Sequence, residues 1–294
     1  MDVTVRPLAA EDVESARIVA VEAFAEHNRR MGEPVDEDTP ERVERRLRRL
    51  RHFLRHDPDG CWVGDYGGEV VGVALASVRD GLWGLSLLVV APAMHGKGIG
   101  RRLLDATLSY GATAPRGVIM ATRDPGAIRL YATSGFELHP QVRASGVIAA
   151  DRPSAAAPSS RVRPGSVGAD RELLDAVDRA ARGVARGPDH DMLSWYADLL
   201  VADDAAGRGY VYTHRGAVET VVATDEATAA ELLGTSLAIS AESGHEAVVE
   251  HINAGQQWAV RTVLDAGLTI APSGPAFWRG SSPPAAYLPS GPYL

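Results

Sequence analysis

The chain has 294 residues, 45% hydrophobic and 23% charged, with a formal net charge of −8. That composition belongs to an ordinary globular protein and excludes a fibrous, disordered or broadly nucleic-acid-binding one, while the length sets two domains as the expectation. The opening residues lack the basic start and apolar stretch of a secretory signal, and the strongest apolar run, Leu85 to Val90 before Pro92, is far short of the roughly 20 residues a membrane helix needs.

No membrane partner is therefore expected. Cys61 is the only cysteine, so no intramolecular disulfide and no cysteine-based metal site can form, and a cytoplasmic address is expected. Of the 30 Lys+Arg, 29 are arginine and the sole lysine is Lys97. A lysine retained against so strong a bias marks its surroundings.

In chain order, Val3 and Val5 alternate with polar neighbours before Pro7, predicting a short strand, and a helix follows over 11–27. Thr39-Pro40 reads as an N-cap with proline at the first helical position, opening a helix with Val43, Leu47, Leu50 and Leu54 on one side. Seven arginines between Arg42 and Arg55 cover its other faces; they read first as a solvated surface, with an anion or acceptor site as the alternative. Strands over 61–65 and 69–76 flank Gly67-Gly68, a hairpin signal, and a strand over 83–90 is apolar on both faces, hence central. A glycine loop, a helix over 98–110, a strand over 118–122, a helix over 125–134 and a last extended stretch complete a mixed α/β half.

Residues 149–160, rich in Ala, Ser and Pro, read as a linker between domains at 1–148 and 161–294. The second half echoes the first. Val5-Arg6-Pro7 before Asp12 returns as Val162-Arg163-Pro164 before Asp170, and Ala127-Ile128-Arg129 through Gly135-Phe136 returns as Ala259-Val260-Arg261 through Gly267-Leu268. Two matches in the same order point to duplication of one fold.

The chemistry gathers in Val89-Val90-Ala91-Pro92-Ala93-Met94-His95-Gly96-Lys97-Gly98-Ile99-Gly100-Arg101, a buried strand, a glycine loop and a helix start. Free amides at that start and the positive end of the helix dipole make an anion site, and Lys97 adds a mobile charge. A Walker loop fails on spacing, since Gly98 follows Gly96-Lys97 where Ser or Thr is needed and position 91 is Ala; a dinucleotide fingerprint fails because Leu103 stands at its third glycine.

On these residues the sequence resembles the GNAT superfamily of acetyl-CoA-dependent N-acetyltransferases. His95-Gly96-Lys97-Gly98-Ile99-Gly100 matches its Arg/Gln-x-x-Gly-x-Gly/Ala signature apart from His95, and Asp124-Pro125 through Leu130-Tyr131 and Gly135-Phe136 matches its downstream motif, with Asp for the usual Asn. The resemblance implies two GNAT-like domains, each a mixed, mostly antiparallel sheet flanked by helices. It also implies acetyl-CoA as co-substrate, its pantetheine arm on the backbone of Leu88, Val89 and Val90, its pyrophosphate on His95, Gly96, Lys97, Gly98, Ile99, Gly100 and Arg101, a contribution from Asp124, and Tyr131 as general acid.

In the second half, Val222-Ala223-Thr224-Asp225-Glu226 stands where the phosphate loop should be, without glycine and with two carboxylates, so that half reads as a degenerate copy without cofactor. Val263 stands at the tyrosine position and Gln256 at that of the Asn.

The implied reaction is acetyl transfer to a primary amine of a small molecule by direct attack in a ternary complex. Acetylation of a protein or peptide amine and a non-catalytic acetyl-CoA sensor are the alternatives. No carboxylate lies over 83–90 to serve as base; Glu22, Glu26 and His27 on the first helix are candidates that read first as plain helix residues, and a water chain or a residue of the second half stands equally open. No metal is expected, because His52 and His56 are beside arginines. Trp195, Tyr196 and Trp258 read first as core, with stacking on a ligand as the alternative; the apolar segment from Tyr287 to Leu294 is expected to dock, and a monomer or homodimer is expected.

Overall fold

The computed structural model describes residues 2–149 and 159–294, in two compact units, Met1–Ile119 and Met120–Leu294. The first holds β1 (Thr4–Pro7), α1 (Val13–Met31), α2 (Pro40–His56), β2 (Cys61–Tyr66), β3 (Glu69–Arg79), β4 (Leu82–Val90), α3 (Ile99–Tyr110) and β5 (Arg116–Met120). Its strands run in the order β1-β2-β3-β4-β5, antiparallel except for the parallel β4–β5 pair. Helix α1 passes the expected end at 27 and stops at Gly32, whose φ of 70° closes the last turn. Strand β4 is central as its two apolar faces require: Trp83 is fully buried, and its Nε1 donates to the Thr107 carbonyl at 2.9 Å, tying β4 to α3. Gly111 permits that approach, since a Cβ there would stand 2.2 Å from the Trp83 ring.

The second unit holds α4 (Pro125–Ala132), β6 (Glu137–His139), β7 (Gln141–Val147), β8 (Val162–Pro164), α5 (Val167–Arg182), α6 (Asp189–Tyr196), β9 (Asp198–Asp204), β10 (Gly207–His214), β11 (Ala217–Ala223), α7 (Glu226–Ser243), β12 (Glu246–Asn253), α8 (Gln257–Asp265), β13 (Thr269–Pro272), β14 (Ala276–Arg279) and β15 (Tyr287–Leu288). Its main sheet runs β13-β7-β12-β11-β10-β9-β8, with β15 on β11. Both sheets are thus mixed, mostly antiparallel and flanked by helices.

The division at 119/120 lies well before the boundary expected near 148. Strand β7, from the end of the first sequence half, sits between β12 and β13, and β6 pairs with β14, so compactness and sequence homology divide the chain at different places. Most of the linker expected at 149–160 lies outside the described residues.

The duplication seen in sequence has a physical counterpart. Arg6 donates to both carboxylate oxygens of Asp12 at 2.6 and 2.9 Å while the Ala9 amide bonds the same group at 2.8 Å, fastening β1 to the start of α1. Arg163 does the same for Asp170 at 2.6 and 3.4 Å, with the Ser166 amide at 2.8 Å, at the start of α5. In each copy the arginine's hydrogen bonds hold the aspartate below the usual carboxylate range.

A buried polar network braces the second unit. Asp178 lies at 0% exposure, where burial opposes its charge, yet Arg182 and Arg186 hold it far below the usual carboxylate range. Tyr210 donates to it at 2.6 Å, and the His190 ring lies 3.2 Å from it and 3.2 Å from the Tyr212 hydroxyl. A neutral ring meets both partners, with Nε2–H donating to Asp178 and Nδ1 accepting from Tyr212.

Candidate active site

Parallel pairing of β4 with β5 runs from Leu82 opposite Arg116 to Leu85 opposite Ile119 and ends there, leaving β4 to continue through Val90 with one side unpaired. On its other side the Ala91 amide donates to the Val71 carbonyl at 2.8 Å. Strand alternation then turns the peptide groups of Val89 toward β3 and those of Leu88 and Val90 toward the open side. Of the three residues expected to meet a pantetheine arm, Val89 therefore has its peptide groups in the sheet and its side chain in the core. The Val90 carbonyl accepts from the His95 ring, Nε2 at 2.9 Å, which fixes that tautomer and leaves Leu88 N–H, Leu88 C=O and Val90 N–H along the edge.

Beyond Val90 the chain makes one tight turn over Pro92–Met94 and enters the glycine loop. Gly96 and Gly98 take φ of 77° and 74°, with nothing within 4 Å of where a Cβ would stand, so it is the left-handed backbone and not lack of room that calls for glycine. The first helical bond of α3 is from the Arg102 amide to the Gly98 carbonyl at 3.2 Å, and Gly98 brings no capping side chain. The amides of Ile99 and Gly100 precede that first bond at the helix start, where the dipole favours an anion. His95, Gly96, Lys97 and Gly98 are exposed around it, and Lys97 Nζ lies 3.2 Å from Met94 Sδ, within the same turn.

In the second unit Asp124 is the N-cap of α4, its Oδ1 accepting the Ala127 amide at 2.9 Å, with Pro125 at the first helical position. The carboxylate thus performs the cap, a task Asp shares with Asn. Tyr131, on the same helix, is 5% exposed and meets Phe277 edge-on at 5.5 Å. Burial, with the charge of Asp124, raises its pKa, so the hydroxyl keeps its proton at neutral pH.

The corresponding place in the second sheet is filled. Parallel pairing of β11 with β12 ends at Val218, and the edge beyond it carries β15, with Val221 opposite Leu288 and Val222 opposite Tyr287. Thr220 Oγ1 donates to the Leu288 carbonyl at 2.8 Å and the Ala223 amide to the Ala286 carbonyl at 3.0 Å. At the start of α7, Asp225 accepts the Thr228 amide at 2.8 Å and is bonded by the hydroxyls of Thr228 and Thr224. The apolar segment from Tyr287, expected to dock, does so here.

Two residues that sequence reasoning passed over stand at the β4 edge. Arg49 on α2 donates to the carbonyl of Ser86 and to its hydroxyl, Nη2 at 2.8 Å and Nε at 3.1 Å. Ser86 is the extra residue of a β-bulge, for Leu75 faces Leu87 while Ala76 faces Leu85. Other members of the arginine run meet acids, Arg42 with Asp36 at 2.7 Å and Arg48 with Glu44 at 2.6 Å. Of the base candidates, Glu22 is exposed, Glu26 pairs with Arg29 and His27 is buried. Among the described residues no three His, Cys, Asp or Glu gather as a metal site, and no helix is long and apolar enough to cross a membrane.

Residues 21–136 match the model of the acetyltransferase (GNAT) family. Solved structures similar to the whole chain include one from Pyrococcus horikoshii described as an acetyltransferase (18% identity, 99% of this chain and 92% of that one, TM-score 0.72). Another is a tandem GNAT protein of the clavulanic acid biosynthesis pathway (15% identity, 96% and 99%, TM-score 0.60). A third is a GCN5-related N-acetyltransferase from Sphaerobacter thermophilus (17% identity, 94% and 95%, TM-score 0.57). At these identities the likeness is one of fold, and it extends over both halves. No curated protein matches the chain.

Proposed function

We propose that the chain transfers the acetyl group of acetyl-CoA to a primary amine of a small molecule. The observation that carries this reading is the continuity of two features: the unpaired Leu88–Val90 edge runs directly into the open helix start at Gly98. A pyrophosphate fits the amides of Ile99 and Gly100 with the Lys97 ammonium beside them, and an amide-bearing pantetheine arm fits the groups of Leu88 and Val90. The second unit takes no cofactor in this reading, since Asp225 and residues 286–288 occupy the corresponding positions.

The reaction forms the amine N–C bond and breaks C–S within a ternary complex. A lysine-like amine of pKa about 10.4 is neutral only about 0.04% of the time at pH 7, so its deprotonation costs about 4.6 kcal/mol. The neutral amine, having already lost that proton, attacks; its nitrogen gives up a second proton, and the tetrahedral intermediate expels CoA as a thiolate that takes up a proton in turn. Tyr131, protonated at neutral pH, is the group assigned to stabilise or protonate that sulfur.

A panel of small primary amines, peptides and polyamines tests the reading through thiol release from acetyl-CoA. Release with a small amine supports it. Release only with peptides transfers the activity to a protein amine, and tight acetyl-CoA binding with no release from any acceptor makes the chain a sensor. The partners in this reading are the amine acceptor and, for a homodimer, a second copy; the net charge of −8 sets it apart from nucleic acid.

A further inference from the structure

Ser86 is held in an unusual way. A guanidinium has donors and no acceptor, so in its contacts with Arg49 at 2.8 and 3.1 Å the Ser86 oxygen can only accept. The serine's own proton is thereby directed elsewhere, and among the described residues no acceptor meets it. Arg49 also takes the Ser86 carbonyl, so side chain and bulge are fixed by one cation.

The position matters as much as the geometry. Ser86 is the first residue of β4 beyond its last pair with β5, where the open side begins. A thread laid from the phosphate loop along Val90 and Leu88 reaches it after about 13 Å of strand. Every other residue from Leu85 to Val90 is Leu or Val, and the Trp83 indole is committed to Thr107. Ser86 therefore holds the only uncommitted side-chain donor of β4.

We infer that the Ser86 hydroxyl donates a hydrogen bond to the carbonyl oxygen of the bound acetyl thioester and that Arg49 is the positioning residue that aims and polarises it. This rests on the acetyl-CoA reading above. As the amine nitrogen attacks the carbonyl carbon, the π pair moves to oxygen; the Ser86 bond strengthens without proton transfer, and the pair returns when the thiolate leaves. A donor set in place before reaction, with a cation behind it, stabilises that oxyanion more than the ground-state carbonyl.

Isotope-edited infrared spectroscopy of [1-13C]acetyl-CoA bound to the full chain tests this without an acceptor. Expected is a carbonyl stretch lowered in the parent, returning toward the unbonded frequency in Ser86→Ala, restored in Ser86→Thr, with acetyl-CoA affinity within about threefold throughout. Arg49→Met should weaken the lowering in proportion to lost alignment, and Ser86→Ala, which removes one atom, serves where Arg49→Met fails to fold. An equal frequency in parent and Ser86→Ala overturns the inference, because a bond that merely braces α2 on β4 moves the melting temperature and not the thioester. Failure of the parent to bind acetyl-CoA in calorimetry overturns the parent reading instead and takes this one with it.

Discussion

Asp225 accepts the backbone amide of Thr228 at 2.8 Å and its hydroxyl at 2.9 Å, closing in the second unit the kind of helix start that Gly98 leaves open in the first. The two strand-to-helix turns differ: one has no capping side chain at Gly98, the other caps its helix with its own carboxylate. An anion has somewhere to go in the first and meets a like charge in the second.

Calorimetry of the full chain with acetyl-CoA should therefore give one site. Asp225→Ala should remove the cap, cost about 1 kcal/mol and lower the melting temperature by about 2–4 °C, yet leave the stoichiometry at one because β15 still covers the β11 edge. Two sites in the parent would sink the assignment. The fragment 161–294 is not a suitable substitute for the full chain, as it lacks β7 from the middle of its sheet.

Gly98→Glu should weaken acetyl-CoA at least tenfold. It forces a side chain into a φ of 74° and sets a carboxylate beside the helix start. Circular dichroism separates lost binding from lost fold, and unchanged affinity in a folded variant contradicts the phosphate site.

For Tyr131→Phe the expectation is acetyl-CoA affinity within about threefold of the parent and a single-turnover rate lower by about 10²-fold. Phe preserves the edge contact with Phe277, so packing alone predicts no change in rate. Rapid quench at saturating acetyl-CoA, with an amine accepted in the panel, decides between them.

Acid should destabilise the second unit before its carboxylates titrate. Burial lowers the pKa of His190, against the pull of Asp178, and lowers that of His251 to about 4, so both rings fold neutral. Below their ordinary value of about 6.5 the unfolded chain binds protons that the folded one does not, and stability falls as pH drops from 6.5 toward 4. Melting temperatures between pH 7.5 and 4.5 should decline over that window, less steeply in His190→Gln; a melting temperature that rises on acidification contradicts neutral burial.

What sequence alone determined was local. Positive-φ glycines, a lone lysine and the cap at Thr39 announce turns and helix starts because each depends on the backbone preferences of one to four consecutive residues. For the same reason the recurrence of Val5-Arg6-Pro7 before Asp12 at Val162-Arg163-Pro164 before Asp170 was legible as a repeated pattern, though the Arg–Asp pairing was not, and the missing loop before α7 as an absence of glycine. What the tertiary structure decided was pairing across long separations. Strand β7 was visible only as an extended stretch, and nothing local says that it lies between β12 and β13, more than a hundred residues onward. Tyr287 and Leu288 read as an apolar segment in need of cover, but that they cover the β11 edge depends on where β12 stops pairing. Arg49 sat unmarked in a run of seven arginines, and only the bulge at Ser86, set by the register of β3 against β4, separates it from neighbours that face water or acids. Local backbone preference is written residue by residue; register and edge occupancy are settled by which distant surfaces can be buried together, and they exist only once the chain has folded.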